Sequence, residues 1–201
     1  MMKLYLDLDG VLVDFTTGLM QKLNVPYDYP ASPFPLKPGV WDYFPELKER
    51  YGVTFEQCDG ACDRDFWANL NWMFDGHDIL RVITDVFDPI DIRLLTSPMP
   101  NLDSASGKME WVDKNLPPMK KKTIITSVDK GEFAAPDRIL IDDRDENLDS
   151  WCKAGGIGIL CPRPWNRASC CADDAPGYIT EMLEESNEQD TDYTGLARAS
   201  R

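Results

Sequence analysis

Five short apolar runs punctuate the chain: KLYLD at 3–7, IRLLT at 92–96, TIIT at 123–126, RILID at 138–142 and GIGIL at 156–160. Between several of them, apolar residues recur at helical spacing. Phe15, Leu19 and Leu23 do so after the first run, and Met109, Val112 and Leu116 do so in a helix predicted over 104–116. ENLDSWCKAGG, between the fourth and fifth runs, reads as a helix stopped by glycine, and YITEMLEES beyond Pro176 reads as a closing helix. A strand parallel to its neighbour is reached only by a crossover, and near-continuous apolar runs are those covered on both faces. The expected fold is therefore α/β, a parallel sheet between two helical layers.

The rhythm breaks between the first two runs. Prolines at 26, 30, 33, 35 and 38 forbid regular structure across about 25–39. Pro45 then opens a short helix, PELKERY, that Gly52 ends. An aromatic cluster of Phe66, Trp67, Trp72 and Phe74 precedes HDILRVITDVF, where Ile79, Val82, Ile83 and Val86 share one helical face. The organisation predicted is a small, mostly helical cap over 16–80, inserted after the first strand. Residues 1–15 and 81–185 make the core, and 186–201 form a polar, frayed tail.

Charge narrows the chemistry. Thirty-five acidic against 21 basic residues give a net charge of −14, a field that repels a phosphate backbone and argues against polymeric nucleic acid as a partner. A small anionic ligand would need a local positive device, such as a metal ion or a lysine. No apolar run approaches the ~18 residues of a membrane span, and MMKLYLDLDG reaches acidic residues before a signal peptide's apolar region forms. A cytoplasmic protein with no membrane partner is expected, its six cysteines reduced. The spacing of Cys58 and Cys62, the Cys170-Cys171 pair and the single histidine, His77, do not make the usual zinc pattern.

Ligands of an open parallel sheet bind beyond the carboxyl ends of its strands, and here those ends are strongly polar. Asp7 and Asp9, two apart, lean to one side if the strand runs through them, with Leu8 turned away. Asp142 and Asp143 end another strand, and such a cluster stays ionised only around a cation. All-oxygen ligands favour Mg2+. Thr96 and Ser97 suit phosphoryl oxygens, and Lys130 neutralises charge on the same group. Each residue also has an ordinary reading, as a turn, a helix cap or a surface lysine.

The order of these elements resembles a known family. DLDGVLVD at 7–14, LLTSP at 94–98, DK at 129–130 and LIDDRDEN at 140–147 are similar to the four motifs of the haloacid dehalogenase-like phosphatase superfamily. Within it, DGVLVDF, FWANLNW, LTSP, KMEWV and IDDR look most like 5'(3')-deoxyribonucleotidases. The resemblance implies a three-layer, Rossmann-like core with an inserted cap. It also implies that Asp7 is the nucleophile, that Asp9 is the acid and base, and that Thr96 and Lys130 assist. Mg2+ would be held by Asp7, the carbonyl of Asp9 and Asp143, with Asp142 behind. Ser97, Phe15, Phe66, Trp67 and Trp72 would contact substrate, although Phe15 fits the core stripe equally well. Lys108 reads as helix surface, Trp111 as packing and Arg144 as an ion-pair former. The implied substrate is a small phosphomonoester, a nucleoside monophosphate. The same reading leaves room for a homodimer. The alternatives are a phosphatase or phosphotransferase for another phosphomonoester, and a non-catalytic binding domain.

Overall fold

The five runs become β1 (Lys3–Leu6), β2 (Ile92–Thr96), β3 (Thr123–Ile125), β4 (Arg138–Asp142) and β5 (Ile157–Leu160). They form one parallel sheet in the order β3-β2-β1-β4-β5, with Leu4 of β1 opposite Ile92 on one side and Ile139 on the other. The computed structural model describes residues 2–186, so the expected tail falls outside the described residues except for 186 itself.

Both faces of the sheet are buried, which is why its strands read as unbroken apolar runs. Leu4, Leu6, Leu94, Ile139 and Ile141 enter one core, whereas Tyr5, Leu95 and Leu140 point the other way to meet Leu148, Trp151 and Leu160. Each fully buried aliphatic side chain stabilises the fold by about 1.5–3 kcal/mol.

Between β1 and β2 come α1 (Phe15–Lys22), α2 (Phe44–Tyr51), α3 (Phe55–Ala61), α4 (Arg64–Ala68) and α5 (Gly76–Val86). Local chemistry fixes their ends. Asp14 accepts from Thr17 N at 3.0 Å to start α1, Thr54 and Gln57 form a capping box on α3, and left-handed Gly52 closes α2. The proline-rich stretch holds no helix or strand. Beyond β2 lie α6 (Leu102–Asn115) and α7 (Asp145–Lys153), and a helical stretch covers 175–186. Among the described residues no helix is long and apolar enough to cross a membrane.

Two features differ from the sequence reading. The boundaries at 15/16 and 80/81 both cut helices, since α1 starts at Phe15 and α5 runs unbroken through Leu80. Val86 is 47% exposed, so the buried face of α5 rests on Ile79 and Ile83. The insertion has no core of its own: Leu19, Tyr27, Leu47 and Cys58 pack into the cluster that contains Leu4 and Leu94. Helix α4 lies so close on α6 that a Cβ at Gly107 would come within 2.4 Å of Trp67 Cβ.

The chain builds outward from β1 to one edge and then crosses to the other. The crevice therefore opens beyond the carboxyl ends of β1 and its neighbours.

Candidate active site

Strand β1 ends at Leu6, but Asp7 N still donates to Ile141 O at 2.9 Å and keeps Asp7 at the sheet edge. The backbone then folds around Leu8 O, which accepts from Leu12 N and Val13 N, both at 2.8 Å. Gly10 sits at φ +70, and a Cβ there would lie 2.1 Å from Asp143 Oδ2, so only glycine admits the Asp143 carboxylate. Asp7 and Asp9 line one open cleft with Thr96, Ser97, Lys130 and Asp143.

Lys130, buried on a short 3₁₀ turn, places Nζ 2.6 Å from Asp142 Oδ2 and 2.9 Å from Asp7 Oδ1. Burial opposes its charge, but Asp142 and Asp7 outweigh that cost and hold its ammonium above the ordinary lysine range. Asp142 lies beneath the cleft and is saturated, also accepting from Arg144 N at 2.9 Å and Asn147 Nδ2 at 3.0 Å. Asp143 keeps a side facing the cleft. Burial first, then Asp142 and Asp7, push its carboxyl well above the usual aspartate range.

The donor set fits a divalent cation. Asp7, Asp142 and Asp143 present carboxylate oxygens within 4.8 Å of one another, all buried. Against these three carboxylates stands one ammonium, Lys130, which leaves a deficit that a divalent ion cancels. Asp7 Oδ1 is buried, and the group that faces it is the Lys130 ammonium at 2.9 Å.

Lys108 overturns its reading as helix surface. It is buried, and its Nζ touches Asp9 Oδ2 and donates to Thr96 Oγ1 at 3.0 Å and to Ser97 O at 2.8 Å. Residues 104, 107, 108, 111 and 112 form the buried face of α6, so Val112 is buried as read, but the face extends to the Lys108 side rather than through Met109. Trp111 packs inside as read, its Nε1 donating to Leu70 O at 2.8 Å. Burial raises the Asp9 carboxyl above its ordinary range, with Lys108 pulling the other way.

The four expected substrate aromatics separate. Phe15 and Trp67 line the cleft, while Phe66 and Trp72 do not. Successive residues on a helix point about 100° apart, so α4 turns Trp67 inward and Phe66 toward Gly18 and Leu70. Trp72 stacks on His77 at 4.1 Å and leans on Trp111. Even Trp67 offers no free face for a base. Phe15 stacks on it at 4.9 Å with planes 2° apart, Lys108 Nζ lies 4.9 Å over its ring, and it is 1% exposed.

The cleft is also lined by aromatics that sequence reasoning passed over, Trp41, Tyr43, Phe44 and Phe55, together with Met99, and of these Phe55 is exposed at 38%. Arg144 pairs with Glu146 as expected, yet its guanidinium also lies 3.9 Å over Trp41 in this cleft.

The model of the family described as "5' nucleotidase, deoxy (Pyrimidine), cytosolic type C protein" matches residues 1–174. The chain belongs to this family. It is thus a member of a nucleotidase family of phosphomonoester hydrolases, in agreement with the motif resemblance. Among solved structures, a haloacid dehalogenase-like hydrolase from Xanthomonas campestris is 11% identical, with 92% of this chain and 93% of that one covered at a TM-score of 0.48. A family enzyme from Bacteroides thetaiotaomicron, in complex with magnesium and inorganic phosphate, is 16% identical over 80% of this chain and 93% of that one, at a TM-score of 0.39. These similarities are too distant to carry residue roles across.

Proposed function

We propose that this nucleotidase hydrolyses nucleoside monophosphates, with deoxyribonucleotides as the preferred class, in a Mg2+-dependent reaction through a phosphorylated Asp7. The observation that carries the reading is the Asp7 carboxylate, buried in the cleft 2.9 Å from Lys130 and flanked by Thr96 and Ser97. In this reading Asp7 attacks phosphorus in line and the ester bond breaks, with Asp9 giving its proton to the leaving oxygen. Asp9 then takes a proton from the water that attacks the phosphorus of the aspartyl phosphate, and Asp7 is released. Thr96, Ser97 and Lys130 hold the phosphoryl oxygens.

Asp7, the Asp9 carbonyl and Asp143 are the proposed Mg2+ ligands, with Asp142 fixing Lys130 from below. When bound, the ion supplies positive charge to the phosphoryl oxygens and lets the carboxylates coexist. The segment between β1 and α5 acts as the cap, and its cleft aromatics, with Phe15, take the place of Phe66, Trp67 and Trp72 in meeting the base. A cytosolic location belongs to the same proposal.

A panel of 5' and 3' nucleoside monophosphates in ribo and deoxy pairs, run beside sugar phosphates with Mg2+ or with EDTA, tests this reading. The expected result is turnover of deoxyribonucleotides that EDTA abolishes. Equal turnover of sugar phosphates would reduce the reading to a phosphatase of another small phosphomonoester.

A further inference from the structure

The loop after β5 reads CPRPWN in sequence and carries no periodic signal, yet it reaches the centre of the site. Trp165 is 1% exposed, and its Nε1 donates to Asp143 Oδ2 at 2.6 Å. Asn166 Nδ2 donates to the Asp143 carbonyl at 2.8 Å and to Cys161 O at 2.8 Å. One short loop therefore fixes both the side chain and the backbone of Asp143. Gly10, on the other side of that carboxylate, is a wall and gives it no donor.

Trp165 is itself held from the insertion. Tyr29 and Phe34 set their rings 6.1 Å and 5.8 Å from it, and both belong to the proline-rich stretch. That stretch is tied to the same loop by Gly39 N to Pro164 O at 2.8 Å, and to the 3₁₀ turn beyond it (Ser169–Asp174) by Tyr29 OH to Ala172 O at 2.9 Å. Proline fixes φ, so a strap of this composition lies against its partner with little chain entropy left to lose. A carboxylate ligand works only when its oxygens are aimed, and a donor on one oxygen aims the other.

We infer that Trp165 is a positioning residue for the Asp143 carboxylate, and that the strap at 26–38 holds Trp165 in place, so that cap and cation site form one mechanical unit. The inference rests on the reading that Asp143 binds the cation.

Mn2+, a hard cation visible by electron paramagnetic resonance, is the probe. The full chain is titrated as wild type, Trp165→Phe, Trp165→His and Phe34→Leu, beside thermal melts and the Mg2+ dependence of turnover. Trp165→Phe should bind Mn2+ about 10–100-fold more weakly, with substrate KM unchanged and kcat restored at high Mg2+. Trp165→His keeps an N–H donor and should recover part of the affinity. Phe34→Leu, which touches neither the cleft nor Asp143, should show a smaller loss in the same direction. Mn2+ affinity of Trp165→Phe within about twofold of wild type would overturn the inference. If Trp165→Phe does not fold, Phe34→Leu decides, and wild-type affinity there overturns it. A wild-type chain that binds no Mn2+ is a different result, and sinks the cation reading itself.

Discussion

At the scale of single residues, the site separates two aspartates by what surrounds them. Asp7 faces Lys130 and the carboxylate cluster, whereas Asp9 faces Lys108 and stays 23% exposed toward the cap. Asp7→Asn should therefore abolish turnover outright, because an amide neither attacks phosphorus nor serves as a metal ligand of equal strength. Detectable phosphate release under single-turnover conditions would remove Asp7 from that role. Asp9→Asn should lose about 10²–10⁴-fold on alkyl phosphates and far less on p-nitrophenyl phosphate, whose leaving group needs no proton. Equal losses on the two esters would disprove the acid role. The cysteines divide just as sharply. Burial pushes the thiols of Cys58, Cys62 and Cys161 up to about 11, 12 and 12, while Cys152 and Cys170 stay exposed. Iodoacetamide on the native protein should label Cys152 and Cys170 and spare the three buried thiols until denaturant is added, as read by mass spectrometry.

Among the elements, α4 decides what the cap offers a substrate. Its five residues give Trp67 to the interior, where Phe15 and Lys108 cover the indole, and in the proposed reading the base meets the cleft aromatics around α2 and α3 instead. Phe55→Ala and Trp41→Ala should each lose about 1–3 kcal/mol of base binding, read as kcat/KM on a nucleotide with little change on p-nitrophenyl phosphate. Trp67→Ala should instead lower the melting temperature and harm both substrates together, at about 3–5 kcal/mol of stability. The reverse pattern would restore Trp67 to the substrate and remove Phe55 and Trp41 from it. Sequence reasoning found the aromatic cluster because tryptophan and phenylalanine stand out in FWANLNW. Which ring faces the cleft depends on the phase of a helix too short to show a period, and that was not legible. Lys108 was hidden for a related reason, since the apolar stripe through Val112 does not count a lysine on its flank, and the buried face of α6 extends that far.

Across the whole molecule, the legible parts were those with a repeating signal. Strand after strand of apolar residues ending in Asp7, Thr96 or Asp142 announced the sheet, its two buried faces and the end where polar groups meet. The connections that hold cap to core were silent, because a loop such as 161–166 has no period and its partners lie far away in sequence. Arg163 is the clearest case. Fully buried, it donates from Nη1 and Nη2 to Asp75 at 2.7 and 2.9 Å, and it also touches the carbonyls of Gly10 and Val11. It thereby joins the loop after β5, the turn after β1 and the start of α5. Asp75, at the N-cap of α5, makes no side-chain cap because its carboxylate is committed to the guanidinium. Asp75→Ala would strand a buried guanidinium, and should cost about 3–5 kcal/mol in urea unfolding. Arg163→Met removes the charge together with its donors, leaving Asp75 and two carbonyls unpaired, and should cost a similar amount. Because both variants break one ion pair, the double variant should be well short of additive. Additive losses would mean that the two residues stabilise the molecule independently and that cap and core are not joined through this pair.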